Sequence, residues 1–247
     1  GETRVLLEPL LVSERWPTRA ELNDLALELA ARSAAFQASL PASIADALAG
    51  LIRSMNCYYS NLIEGHNTHP VDIERAMNDD YSTDPEKRDL QLEAKAHIAV
   101  QKWIDEGGVH GRATTPNTIL DLHRRFCELL PPDLLFVEHP TTGERLPVIP
   151  GAIRDHDVEI GRHVAVSPGA VHRFLTRLDE AYARAGRIDS ILYAACAHHR
   201  FLWVHPFLDG NGRVARLMTY AMLRSALDTN GLWLVARGLA RNEAEYK

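Results

Sequence analysis

Twelve residues, His205-Pro206-Phe207-Leu208-Asp209-Gly210-Asn211-Gly212-Arg213-Val214-Ala215-Arg216, bring together a titratable base, a carboxylate, a Gly-Asn-Gly turn and two arginines. Each type has a use in phosphate chemistry. An imidazole at His205 can take a proton near neutral pH. Asp209 offers hard oxygens to Mg²⁺, which commonly binds through one or two carboxylates together with phosphates and waters. Gly210, Asn211 and Gly212 can turn backbone N–H groups toward an anion, and a side chain at either glycine would obstruct close approach. A helix is predicted to begin near Asn211, and its positive end adds to the same preference. Arg213 and Arg216, three apart, sit on neighbouring positions of its first turns and can fork onto phosphate oxygens. Cations there oppose the helix dipole, so an anionic partner is expected.

The plainer roles are a helix-end cap for His205, an N-cap for Asp209, a tight turn for Gly-Asn-Gly and solvated charges for the arginines. Phe207 reads as a core anchor for the loop. The order of the residues separates the two readings. It resembles the signature of the Fic family, His-Pro-Phe-x-Asp/Glu-Gly-Asn-Gly-Arg-x-x-Arg, and all nine fixed positions match. The resemblance implies transfer of AMP from Mg-ATP to a Ser, Thr or Tyr hydroxyl of a target protein. His205 would be the base and Asp209 the Mg²⁺ ligand. Gly210, Asn211, Gly212, Arg213 and Arg216 would bind phosphates.

Two further segments take their meaning from this resemblance. Ser60-Asn61-Leu62-Ile63-Glu64-Gly65 is similar to the family's inhibitory motif, Ser/Thr-x-x-x-Glu-Gly/Asn. It implies that Glu64, with Ser60, pairs with Arg216 and competes with the ATP γ-phosphate for the same donors. Gly151-Ala152-Ile153-Arg154 and Val158-Glu159-Ile160-Gly161 are similar to the family's flap. Ile153, Val158 and Ile160 would then lie on a strand edge that aligns a target segment. Two alternatives stay open. Glu64 could orient a water that removes AMP from a modified protein, or the chain could be a regulatory nucleotide-binding module without turnover. A Zn²⁺ site at Cys196, His198, His199 and His205 is disfavoured, because adjacent histidines on a helix point about 100° apart.

The elements that must position these residues are mostly helical. Leu22 to Leu40 follows helical spacing up to Pro41, and Ser43 is expected to cap the next helix, which Gly65 ends. Shorter or capped helices are expected from Pro70, after Asp84-Pro85, after Thr115-Pro116 and after Ser167-Pro168. A very apolar helix over about 188–203 leads into the signature, and a second follows it to Leu227. Residues 146–166, rich in Val and Ile between glycines, are expected to form one β-hairpin, and no strand is expected before 145. The expected fold is a mostly α, Fic-type bundle with one short hairpin. Its expected parts are an N-terminal helical region over 1–110, a core over 111–230 and the start of a helical extension over 231–247.

The chain has 247 residues, 46% hydrophobic and 24% charged, with a net charge of −6. That places it among globular proteins and provides no basic footprint for nucleic acid. Cys57, Cys127 and Cys196 are far apart and outside metal spacings, so they read as buried, reduced thiols of a cytoplasmic protein. No apolar run is long enough to span a membrane. The start, Gly1-Glu2-Thr3-Arg4, lacks a basic n-region, and the end lacks a helix stop, so a longer parent chain is expected. Expected partners are ATP and a protein target, with a homo-oligomer left open.

Overall fold

The computed structural model describes residues 7–139, 141–227 and 231–246. Its helices are α1 (Arg19–Ser39), α2 (Ala42–Ile63), α3 (Pro70–Met77), α4 (Pro85–Asp105), α5 (Pro116–Glu128), α6 (Pro168–Tyr182), α7 (Arg187–Val204), α8 (Asn211–Leu227), α9 (Val235–Arg241) and α10 (Glu243–Tyr246). The mostly helical class is as expected. The boundary anticipated at 230 and the first six residues lie outside the described residues.

The helix starts follow local chemistry. Asp84 accepts from Glu86 N at 3.1 Å with Pro85 in the first turn, and Thr115 accepts from Thr118 N at 3.2 Å with Pro116 behind it. Ser43 does not cap α2. The helix begins one residue earlier, because the Pro41 carbonyl already accepts from Ile44 N and Ala45 N at 3.0 Å each.

The hairpin expected over 146–166 is the antiparallel pair of β3 (Glu159–Ile160) and β4 (His163–Val164). A second hairpin corrects the expectation of no strand before 145: β1 (Phe136–Glu138) pairs antiparallel with β2 (Arg145–Pro147). A three-residue strand is too short to show alternation, which is why β1 escapes a pattern search. Arg145, lying 3.3 Å over the Phe136 ring, supports its pairing. The β-branched residues between the hairpins do other work. Val148 and Val166 are buried in the helical core.

That core centres on α7 and α8. Ala197, Phe201 and Val204 of α7 and Val214, Leu217 and Met218 of α8 are essentially inaccessible to solvent. Phe207, in the loop between the two helices, joins them. Ile119, Leu122 and Phe126 of α5 and Leu175 and Leu178 of α6 close the same cluster. It also takes Leu7, Val12, Ala96, Val100 and Ile104, so the packing runs across position 110. The three cysteines are free and buried, and burial pushes each thiol up, Cys57 and Cys127 to about 12 and Cys196 to about 11. Among the described residues no helix is long and apolar enough to cross a membrane.

The C-terminal elements hold α2 in place. Asn56, buried on α2, donates to Trp233 O at 2.9 Å and accepts from Ala236 N at 3.3 Å. Replacing it removes both bonds and leaves two buried main-chain groups without partners. Asn56→Ala is therefore expected to lower unfolding stability by about 1–3 kcal/mol, measured by urea denaturation against wild type.

Candidate functional site

The loop between α7 and α8 is built by its own side chains. α7 ends when His205 turns into the left-handed region at φ 50°, its N–H still bonded to Phe201 O at 2.9 Å. Such a conformation costs a non-glycine residue about 1–3 kcal/mol and persists only where its surroundings impose it. Phe207 then drops into the core, where its ring stacks on His123 with centroids 3.8 Å apart and planes 4° apart. Asn211 closes the loop. It accepts from Phe207 N at 3.0 Å and donates to Phe207 O at 2.8 Å. Both ends of its amide are thus committed to the loop, and only its backbone N–H is left for an anion. Gly210 has φ 78° and packs against His123, a position that excludes other residues on backbone grounds. Val214 N bonding to Gly210 O at 3.0 Å starts the helical ladder, so the N–H groups of residues 211–213 precede it.

The two arginines are buried at this helix start. Arg216 donates from Nε to Ser60 Oγ at 2.8 Å and from Nη2 to Glu64 Oε1, both on or beside the last turn of α2. Its side chain is 4% exposed and that of Glu64 is 33% exposed. Burial opposes ionisation of Glu64, but the charge and hydrogen bond of Arg216, aided by Arg213 and His66, outweigh it and hold the carboxyl below its usual value. Glu64 also abuts Gly212: a Cβ there would lie 2.5 Å from Glu64 Oε1 and 3.1 Å from Arg216 Nη1. Glu64 owes its place to the end of α2. Gly65, at φ 84°, turns the chain, and buried Asn61 holds the following loop through Thr68 and His66 N. Ser60, Glu64, Gly212 and Arg216 are therefore brought together across more than 150 residues of sequence.

Arg213 has partners the sequence did not suggest. It pairs through Nη2 with Glu93 of α4, and the His66 ring nitrogen lies 3.4 Å from both groups. Its guanidinium also sits 5.3 Å from the Phe126 ring centroid, while its Nε is buried and lacks a hydrogen-bond partner among the described residues. Asp209 is exposed at the lip of the loop. Among the described residues no cluster of three His, Cys, Asp or Glu side chains could hold a metal. A cation here would rest on Asp209 and on phosphate oxygens.

The His205 ring is oriented by the main chain of α7. Its Nδ1 lies 3.2 Å from Leu202 O, which makes Nδ1 the protonated nitrogen and leaves Nε2 as the acceptor. Burial pushes the imidazole down to about 4; the Leu202 carbonyl works the other way, Arg154 and His163 add to the depression, and the Glu64 charge opposes it. Glu64 is thus close enough to act on both His205 and Arg216.

Comparison with known proteins follows this geometry. Residues 113–223 match the model of the Fic/DOC family. They form a Fic domain. Protein adenylyltransferase Fic of Drosophila willistoni is 28% identical over 173 residues, which cover 68% of this chain and 31% of that protein. The protein of the same name from Drosophila grimshawi is 27% identical over 171 residues, covering 68% and 32%. The chain therefore spans about a third of the length of these relatives. The fold is shared with a Fic family protein from Desulfovibrio desulfuricans (TM-score 0.68, 18% identity, 97% of this chain and 66% of that one). It is shared also with Fic-1 from C. elegans (TM-score 0.60, 20% identity, 92% and 69%).

Within these matched residues, Ile153, Val158 and Ile160 differ in exposure. Ile160 is 42% exposed on β3, which pairs only with β4 among the described residues. Val158 is half-buried, its carbonyl accepting from Ala165 N at 3.2 Å. Ile153 packs against the core and offers no strand edge. Zinc at His198 is excluded by its commitments: Nδ1 to Thr219 Oγ1 and Nε2 to Tyr246 Oη, both 2.8 Å. Glu93, His66 and His123 shape the site without a sequence signal, and Arg154 stood in the flap-like segment with no role of its own. Each is an ordinary charged or polar residue until the fold sets it beside its partners.

Four histidines are held neutral by burial, His97 and His198 at about 3 and His123 and His205 at about 4, against 6.5 when free. The unfolded chain therefore binds more protons than the folded chain between about 6.5 and 4. Stability from these groups is present above 6.5 and drains away as pH falls. Denaturant midpoints are expected to decline steadily from pH 7 to pH 4, before most carboxylates titrate.

Proposed function

We propose that this chain transfers AMP from ATP, with Mg²⁺, to a hydroxyl side chain of a target protein, and that Glu64 restrains the reaction by holding Arg216. The observation that carries this reading is the Arg216 fork, shared by Ser60 and Glu64 beside a glycine and a free helix start. The residues present suit a nucleotide polyphosphate. Three N–H groups precede the α8 ladder, Arg213 retains a buried Nε without a partner among the described residues, and a carboxylate already occupies the arginine fork that a phosphate would need. Asp209 would hold the metal, whose chemistry is to neutralise charge on the phosphate oxygens.

In this reaction the target oxygen attacks the α-phosphorus, the bond to the bridging oxygen breaks, and pyrophosphate leaves. His205 Nε2 takes the hydroxyl proton, its ring fixed by Leu202 O. Arg213 and Arg216 bind the phosphates, and the loop N–H groups hold the ATP in line for attack. β3, with Ile160 exposed, would align the target segment by main-chain pairing.

A second reading keeps the site and changes the substrate. Glu64 acts on His205 as well as on Arg216, so it could orient a water that removes AMP from a modified protein. A module that binds nucleotide without turnover is the third, and a base-competent His205 argues against it.

Incubation with α-³²P-ATP and Mg²⁺ separates the three. Glu64→Gly is expected to label itself strongly, and wild type weakly. Adding His205→Ala to Glu64→Gly should cut labelling by about 10² to 10⁴. ATP binding without label in any form would refute AMP transfer. Release of AMP from a labelled protein by wild type but not by Glu64→Gly would establish removal instead.

A second outcome concerns Gly212. The variant Gly212→Ala sets a methyl against Glu64 and Arg216. It is expected to weaken ATP binding in the Glu64→Gly background about tenfold or more, read by calorimetry, because the methyl blocks close approach of phosphate to the main chain.

A further inference from the structure

Arg154 is 3% exposed, and the roles assigned to the flap and the loop do not account for its burial. Its side chain donates to four main-chain carbonyls: His205 O from Nε at 2.7 Å, His156 O from Nη1 at 2.7 Å, and Val166 O and, at 3.5 Å, Val204 O from Nη2. Its own N–H donates to Pro206 O at 3.0 Å. One residue thus bonds residues 204, 205 and 206 on one side and both roots of the β3–β4 hairpin, 156 and 166, on the other.

These partners explain a feature that α7 alone does not. A left-handed His205 needs its surroundings to impose the conformation. The planar guanidinium does so by receiving its carbonyl while also holding the carbonyls of Val204 and Val166. Burying a cation among neutral carbonyls is costly, and burial lowers the Arg154 pKa from its ordinary value, with Asp157 opposing. A hairpin that only covered the core could be held by apolar contacts at less cost.

We propose that Arg154 is a positioning residue, locking the β3–β4 hairpin to the main chain of His205 so that the base and the strand presenting the target hydroxyl keep one geometry. The inference rests on the AMP-transfer reading for its consequence, although the clamp itself does not. A displacement of about 1 Å between base and hydroxyl is enough to cost about 10²-fold in rate. Lysine cannot replace the arginine, because its three donors radiate from one atom and do not span carbonyls on two segments.

The test uses Arg154→Lys and Arg154→Met, each in the Glu64→Gly background. ATP affinity is measured by calorimetry and AMP incorporation at saturating ATP across pH. Both variants should bind ATP within about threefold of the parent, since no phosphate donor is touched, yet incorporate AMP about 10²-fold more slowly. In Arg154→Met the acid limb set by His205 should move up, because burial depresses the imidazole first and the Arg154 cation that adds to it is gone. Incorporation by Arg154→Lys within about threefold of the parent would overturn the proposal, as would a rate loss matched by an equal loss of ATP affinity. Should Arg154→Met not fold, Arg154→Lys decides. If the Glu64→Gly parent does not label at all, the AMP-transfer reading has failed separately. The clamp is then judged by NMR titration of the His205 ring in Arg154→Met and Arg154→Lys without the Glu64 change. An upward shift shared by Arg154→Lys, which keeps the cation but loses the carbonyl fork, upholds it, and a shift confined to Arg154→Met or an unchanged titration refutes it.

Discussion

Two guanidinium groups are buried at the positive end of α8, and the rest of the structure answers to them. The side chains of Arg213 and Arg216 are 7% and 4% exposed. The helix dipole opposes a cation at this end, and removal from water adds a further cost. Anionic partners must come from outside the helix. Glu64 and Ser60 arrive from α2 and Glu93 from α4. Neighbouring histidines stay neutral for the same reason. Burial is the first cause of the depressed values of His97 and His198, and the Arg216 charge is the next.

This constraint accounts for the N-terminal half of the chain. α2 and α4 bury apolar residues, but they also deliver one carboxylate each to the helix start. The two deliveries differ in kind. Glu93 lies within α4, its side chain 17% exposed, and is backed by core packing. Glu64 caps the end of α2 before a glycine turn, and its side chain is a third exposed. A phosphate could replace the second far more readily than the first, because less structure has to move. The competition proposed for Arg216 follows from that asymmetry.

The loop itself is rigid for complementary reasons. Asn211 uses its whole amide on Phe207, Phe207 stacks on His123, and His123 Nδ1 accepts from Gly151 N at 2.9 Å. Residues around Gly151, α5 and the loop between α7 and α8 are therefore one packed unit. Arg154 extends it to the far side of the hairpin. An anion-binding loop gains from such preorganisation, since its dipoles need no rearrangement when charge develops.

Much of this was legible in the sequence. Helix starts at Pro85 and Pro116 were readable because a cap side chain and a proline act on adjacent residues. The apolar character of α7 and α8 was readable because burial on most faces leaves few polar positions. His205 to Arg216 form a local cluster, so their chemistry and order were visible without a fold, and the pairing of Glu64 with Arg216 followed from resemblance. Short-range rules failed where partners are distant or elements are small. β1 has three residues and no pattern of its own, so a second hairpin precedes the one expected. Pro41 opened α2 before Ser43 could cap it, a contest between two neighbours that composition does not rank. Glu93, His66 and His123 carry no local signature, and the flap-like segment said nothing of what Arg154 binds. Their meaning is contact with a particular cation or carbonyl, and such contacts are a property of the packed chain. The sequence alone determined which groups could do phosphate chemistry. Tertiary structure decided which carboxylate holds which arginine, which histidine nitrogen is free, and how the hairpin is tied to His205. Those outcomes depend on distances of a few ångströms between residues 50 to 150 positions apart.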